Sequence, residues 1–173
     1  IKAGVKVVQF REKDLDRKQM HETAAKIREL TKKAKVLFIV NDYLDVAIKA
    51  EADGVHLGKN DFDPEEVRKI MPDILVGLSA RSVEEAVLAE KKGADYIYFG
   101  PIFKSNKKEI NVLSVDAIKE VKEKVKIPII AIGGISKDNV KEVLNAGADG
   151  FVIVSELFKK DLGKEINQII NIS

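Results

Sequence analysis

Apolar residues fall into two alternating patterns along this chain. Short, nearly continuous apolar runs occupy positions 5–10, 37–40, 54–57, 74–78, 96–99, 129–132 and 151–154. Runs of that length, bounded by polar segments, predict parallel strands covered on both faces. Between them the apolar positions spread to helical spacing, for example over 16–33, 82–92, 114–124 and 136–146. Ser82 with Glu85 following, Ser114, Ser136 and the pair Asp63-Pro64 stand where helix starts belong. Strands alternating with helices predict βαβ units and a parallel sheet.

A weak internal repeat sharpens that expectation. Four helix-to-strand junctions read alike: Ile1-Lys2-Ala3-Gly4-Val5, Ile48-Lys49-Ala50-Glu51-Ala52-Asp53-Gly54, Lys92-Gly93-Ala94-Asp95 and Asn145-Ala146-Gly147-Ala148-Asp149-Gly150. The glycine is expected to supply the left-handed residue that ends a helix before a buried strand. A helix precedes the last three junctions, so residues 1–3 read as the tail of a helix. Seven strands are visible where a closed barrel of such units has eight. The fold expected is therefore α/β, a (β/α)8 TIM-type barrel in one domain over residues 1–173, with the first strand and most of the first helix absent. An open doubly wound sheet is the alternative, but no GxGxxG motif follows an early strand.

Composition narrows the function classes. At 45% apolar and 34% charged residues, the 173-residue chain is expected to fold rather than remain disordered. Its 30 basic and 28 acidic residues leave +2, which gives no reason to expect nucleic acid or an acidic membrane surface as partner. Without cysteine there is no disulfide, thiolate metal site or thiol nucleophile. No apolar run is long enough to span a bilayer and no signal-peptide pattern opens the chain, so the cytoplasm is the expected location.

Active sites of βα barrels gather just beyond the C-terminal ends of the strands. There this chain carries Gln9-Phe10-Arg11-Glu12-Lys13-Asp14, then Asn41-Asp42, then His56-Leu57-Gly58 with Asp61, then Ser79. The later strands end in Gly100-Pro101-Ile102-Phe103 with the basic run Lys104-Ser105-Asn106-Lys107-Lys108, in Gly133-Gly134, and in Val154-Ser155. Asp42 and Asp61 suit Mg²⁺, which takes one or two carboxylates with phosphate oxygens and waters. Arg11 suits bidentate contact with phosphate, and Lys13 adds a point charge. Gly133-Gly134 and Val154-Ser155 occupy the loops where barrels commonly hold a monophosphate. Two anion pockets imply two phosphorylated small-molecule substrates and transfer chemistry. Each residue also has a plainer reading. Asp42 equally suits a helix cap, Asp61 a turn or cap before Pro64, Arg11 and Lys13 solvated loop charges, and His56 a buried strand residue.

Taken together, the stretches Val8–Asp14, Ile39–Asp42, Asp53–Gly58, Asp61, Gly100–Phe103, Ala131–Ile135 and Ala146–Gly150 resemble thiamine-phosphate synthase over nearly the whole chain. That resemblance implies a transferase that joins hydroxymethylpyrimidine diphosphate to thiazole phosphate and releases pyrophosphate. It implies pyrimidine diphosphate contacts from Gln9, Arg11, Lys13 and Asn41, and Mg²⁺ on Asp42 and Asp61 with Ser79 nearby. It further implies loop contacts from Ser105 and Lys108, and thiazole phosphate on Gly134, Val154 and Ser155. Arg11, Lys13, Ser79 and Lys108 would be the catalytic group, and a homodimer is compatible with the family. Pyrophosphate would leave first, and the thiazole nitrogen would capture the resulting pyrimidine carbocation, so no general base is required.

Two departures accompany the resemblance. The loop over residues 104–114 is shorter than the family's and carries no Pro-Thr-x-Thr run. The absent first unit would leave an uncovered edge. A thiazole tautomerase on the same barrel and a non-catalytic phosphate-binding barrel are the alternative readings. Pro101 and Asp61 favour the synthase over the first, and a need for Mg²⁺ would exclude the second.

Overall fold

In a computed structural model, the residues described are 1–58, 61–104, 111–154 and 162–170, without the side chains of residues 162, 164 and 165. Strands and helices alternate as the hydrophobic pattern requires. They are β1 (Val7–Phe10), α1 (Arg17–Ala34), β2 (Leu37–Asn41), α2 (Leu44–Lys49), β3 (Gly54–Leu57), α3 (Pro64–Ile70) and β4 (Leu75–Ala80). There follow α4 (Val83–Lys91), β5 (Tyr96–Phe99), α5 (Asp116–Lys122), β6 (Ile129–Ala131), α6 (Val140–Asn145), β7 (Gly150–Phe151) and α7 (Leu162–Ile170). The sheet order is β1-β2-β3-β4-β5-β6-β7, each strand beside its neighbour in sequence. The pairings β1/β2, β2/β3, β5/β6 and β6/β7 are parallel. Helical crossovers between sequential parallel strands are the expected solution when both strand faces are apolar.

The chain forms two compact units, Ile1–Gly77 and Leu78–Ser173. In the first, α1 and α2 pack on β2, and α2 also touches β3. Phe38 and Val40 of β2, Val55 and Leu57 of β3, Ala24 of α1 and Val46 of α2 are fully buried there. In the second, Ile97, Phe99, Ile129 and Ala131 from β5 and β6 form one apolar cluster with Ile118, Val121, Val140, Val143 and Ile169 from the helices.

The helix starts follow the local chemistry. Asp16 caps α1 in a reciprocal box with Gln19, and Asp63 does the same for α3 with Pro64 in its first turn. The Ser82 hydroxyl accepts from the Glu85 N–H at 3.2 Å, and the Ser114 hydroxyl from the Ala117 N–H at 3.2 Å. Two elements differ most from expectation. Helix α6 begins at Val140 because residues 137–139 form a turn over Ser136, whose carbonyl accepts from the Val140 N–H at 3.0 Å. Strand β7 stops at Phe151. The Val152 N–H still reaches the Ala131 carbonyl at 2.9 Å, but the next carbonyl on that side of β6, at Gly133, accepts instead from the Phe103 N–H at 3.0 Å.

Three of the four repeated junctions behave as expected: Gly4, Gly93 and Gly147 have φ of 91°, 84° and 100°. In the second junction Glu51 takes that conformation instead, at φ 50°. Gly54 serves there by its size, since a Cβ would stand 2.5 Å from Ile39 Cδ1 and 2.9 Å from the Leu75 carbonyl oxygen.

The aspartate of the repeat has a role that repeats too. Asp53 accepts from the Phe38 N–H of β2 at 2.8 Å and holds the α1 residue Arg28 bidentately at 2.7 and 3.0 Å. Asp149 accepts from the Ile129 N–H of β6 at 2.8 Å and holds Lys122 of α5 at 2.7 Å through each oxygen. Each carboxylate thus ties a helix to the entry of the preceding strand, at the end remote from the strand tips. Asp53→Ala would leave the Phe38 N–H and the Arg28 fork unmatched, and we expect a loss of about 2–3 kcal/mol in urea unfolding. For Asp149, burial opposes ionisation, but the Ile129 N–H and Lys122 outweigh it and hold the pKa below the usual value. Its contribution is therefore present above the unfolded-state pKa and lost as acid protonates it.

Among the described residues, no helix is long and apolar enough to cross a membrane.

Candidate functional site

The first unit assembles its polar residues at the C-terminal tips of β1, β2 and β3. Parallel register pairs Gln9 with Ile39 and Asn41 with His56, so Gln9, Asn41 and His56 project on one face. Gln9 Nε2 donates to Asn41 Oδ1 at 2.5 Å, and Asn41 is buried. His56 is 3% exposed, and burial pushes its pKa down to about 3, so the imidazole is neutral at physiological pH.

Beyond Asn41 the chain turns sharply. Asp42 has φ 65°, its N–H donates to the His56 carbonyl at 2.9 Å, and the Tyr43 N–H closes onto the Asn41 carbonyl at 2.8 Å. That is a γ-turn with a left-handed central residue, the rare and strained form. Helix α2 then starts with Tyr43 as its N-cap and no side-chain capping hydrogen bond. The reading of Asp42 as a helix cap is therefore wrong: the turn aims its carboxylate elsewhere.

Its neighbour is Asp61. The pKa of Asp42 is raised, first by burial, then by the Asp61 charge and a hydrogen bond to that carboxyl, while hydrogen bonding to Asn41 and the Arg11 charge pull it down. Asp61 is exposed and also closes a turn: its Oδ2 accepts from the Gly58 N–H at 2.6 Å, and its own N–H reaches the Gly58 carbonyl at 3.2 Å. The cap before Pro64 is Asp63, so of the plainer readings of Asp61 the turn holds and the cap does not. Arg11 is exposed, close enough to act on Asp42 electrostatically. Lys13 is exposed on the following loop, which Glu12 braces by accepting from the Lys13 and Asp14 N–H groups at 2.7 and 2.9 Å.

Two adjoining carboxylates that repel one another, one half-buried, form an all-oxygen donor set suited to a hard divalent cation. No group of three or more His, Cys, Asp or Glu that could hold a metal occurs among the described residues. Magnesium does not need one, because phosphate and water complete its shell.

In the second unit, Ser79 is exposed on β4 and Val154 is 55% exposed after β7. Gly133 and Gly134 have φ of 98° and 62°, and both are tightly packed. A Cβ on Gly133 would stand 2.5 Å from Pro101 Cβ, and one on Gly134 2.7 Å from the Phe103 carbonyl oxygen. The pair is thus required by the loop after β5 packing over it, whatever anion it also meets. Asn139 Nδ2 donates to the Gly134 carbonyl at 2.9 Å and pins that turn, a role with no local signal in the sequence. Ser105, Lys108 and Ser155 lie outside the described residues.

Sequence reasoning missed a clasp beside Asp42. Arg17 of α1 lies with its Cζ 4.3 Å from the centroid of the Tyr43 ring, and its Nη1 meets Asp45 Oδ1 at 3.2 Å.

The class this defines is coarse: an α/β protein of parallel strand–helix units with an acidic pair at its strand tips. Comparison with known proteins narrows it. The family model for thiamine monophosphate synthase matches residues 1–157. The thiamine-phosphate synthase of Caldanaerobacter subterraneus subsp. tengcongensis is 46% identical over 165 residues, covering 94% of this chain and 77% of the relative. That of Pyrococcus abyssi is 42% identical over 175 residues, covering 98% and 84%. The solved thiamine phosphate pyrophosphorylase of Pyrococcus furiosus superposes with a TM-score of 0.92 at 38% identity, covering 98% of this chain and 83% of that one. The chain belongs to the thiamine monophosphate synthase family.

Proposed function

We propose that this chain is a thiamine-phosphate synthase, a Mg²⁺-dependent transferase that joins hydroxymethylpyrimidine diphosphate to thiazole phosphate. Family membership supports the reaction. The observation that carries the site is the juxtaposition of Asp42 with Asp61, beside Arg11. On this reading the two carboxylates hold Mg²⁺, which when bound neutralises charge on the diphosphate. Arg11 grips phosphate oxygens, Lys13 adds a second positive charge, and Gln9 and Asn41 meet the pyrimidine. Ser79 and Lys108 assist departure of the diphosphate, while Ser105, Gly134, Val154 and Ser155 serve the loop and the thiazole phosphate.

The bond from the pyrimidine methylene carbon to the diphosphate oxygen breaks, both electrons leaving with pyrophosphate. The thiazole nitrogen then donates its lone pair to that carbon. Catalysis on this route is positioning plus stabilisation of a departing anion, and it demands cations and hydrogen-bond donors rather than a base. The neutral, buried His56 is consistent with that demand. We read the parallel sheet as part of a (β/α)8 barrel forming a single domain.

Two similar proteins are named thiamine-phosphate synthase and the solved one thiamine phosphate pyrophosphorylase, and Pro101 and Asp61 fit that reading; the tautomerase and non-catalytic readings find no such support. The test is formation of thiamine phosphate by the full-length protein from both substrates with Mg²⁺. Asp42→Ala should lower turnover about a hundredfold or more, beyond the usual effect of disturbing a ligand's supporting partner. Absence of product from the parent enzyme would overturn the assignment.

A further inference from the structure

A strained γ-turn persists only where its surroundings hold it. From within the site, the turn at Asp42 is held by the His56 carbonyl and by the Gln9–Asn41 hydrogen bond. From outside, Arg17 lies over the Tyr43 side chain, its Cζ 4.3 Å from the ring centroid. Tyr43 donates the N–H that closes the turn and is also the N-cap of α2, where it makes no side-chain capping hydrogen bond. The ring is half-buried, and the guanidinium over it is itself fixed by Asp45 in the first turn of α2 at 3.2 Å. His21, one helical turn on from Arg17, approaches the other Asp45 oxygen at 3.6 Å. Helix α1 therefore grips the start of α2 at Tyr43 and Asp45. Because α1 opens at Asp16, directly after the loop bearing Arg11 and Lys13, the same contact joins that loop to the Asp42 turn.

We propose that Arg17 is a positioning residue: stacked on Tyr43, it holds the γ-turn that aims the Asp42 carboxylate at the cation. The proposal rests on Asp42 being a metal ligand, and it makes a separate prediction about the turn itself. Arg17 touches neither substrate nor metal; its effect passes through Tyr43.

The test uses Arg17→Met, Tyr43→Leu, the double variant and the conservative Tyr43→Phe in the full-length protein. Mn²⁺ affinity is followed by electron paramagnetic resonance, and exchange of the Asp42 and Tyr43 amides by NMR without metal. An exposed cation–π contact is worth a roughly two- to fivefold change in an equilibrium. Arg17→Met and Tyr43→Leu should each weaken Mn²⁺ binding and speed exchange of both amides by that factor. The double variant should be no worse than either single one, and Tyr43→Phe should match the parent. A purely structural role would lower the unfolding midpoint yet leave Mn²⁺ affinity and those two amides at parental values, and that result overturns the proposal. If the parent binds no Mn²⁺, the metal-site reading fails, and the aiming of Asp42 at a cation fails with it; exchange then reports only whether Arg17 holds the turn.

Discussion

Replacing Asp42 by asparagine should give a protein that is more stable than the parent without divalent cations and inactive with them. The pKa of this carboxyl lies above its ordinary value because burial and the Asp61 charge both oppose ionisation. For a group whose folded pKa is raised, the associated stabilisation is full below the unfolded value and lost as pH rises through the folded one. At neutral pH the apo fold therefore carries an unfavourable negative charge. Asparagine keeps the shape, keeps a partner for Asn41 and removes the repulsion with Asp61. Relieving a strained functional position commonly gains about 1 kcal/mol.

The sign should reverse when metal is added. A cation that binds only the folded parent stabilises it by about 2.7 kcal/mol at a hundred times the dissociation constant. The asparagine variant, short of one carboxylate, should show little of that gain. Urea unfolding at pH 7 with chelator and then with Mg²⁺ measures both effects. A variant less stable than the parent in chelator would mean that Asp42 is stabilising in the apo fold, contrary to the electrostatics described.

The same residue shows where sequence reading stops. Strands were legible wherever burial on both faces forces a nearly continuous apolar run, as over 38–40 in β2 and, His56 apart, in β3. Helix starts were legible where capping is local, as at Asp63-Pro64 and Ser82. An aspartate before a helix reads the same whether it caps or sits in a γ-turn, because φ at Asp42 is decided by the β3 carbonyl it bonds. The Asp-Gly pairs at 53–54 and 149–150 were visible as a repeat. Their work as ties between helix and strand was not, because Arg28 and Lys122 lie 25 and 27 residues away. Nothing in the sequence singles out Arg17, since its ring partner is brought to it only by the packing of α1 on α2.

His56 makes the second large prediction. Its imidazole is 3% exposed and its pKa is pushed down to about 3, whereas in the unfolded chain it titrates near the ordinary value of 6.5. The unfolded state thus binds a proton that the folded state refuses. Stability is complete above pH 6.5 and falls as pH drops, at a rate of about 1.4 kcal/mol per pH unit for one such group. Over the window down to pH 3 the loss is on the order of 4 kcal/mol, a large share of a typical domain's stability. Carboxylates with lowered pKa, such as Asp149, add their own loss only near and below pH 4. In the interval from 6.5 to 5 the difference between parent and His56→Gln reports this histidine, and the parent should slope more steeply than the variant there. Because the His56 carbonyl holds the Asp42 N–H, partial opening of β3 in acid should also loosen the Asp42 turn. Turnover should fall along with the unfolding free energy in the parent and hold further into acid in the glutamine variant. Equal slopes for parent and variant between pH 6.5 and 5 would show that the imidazole is not buried in its neutral form.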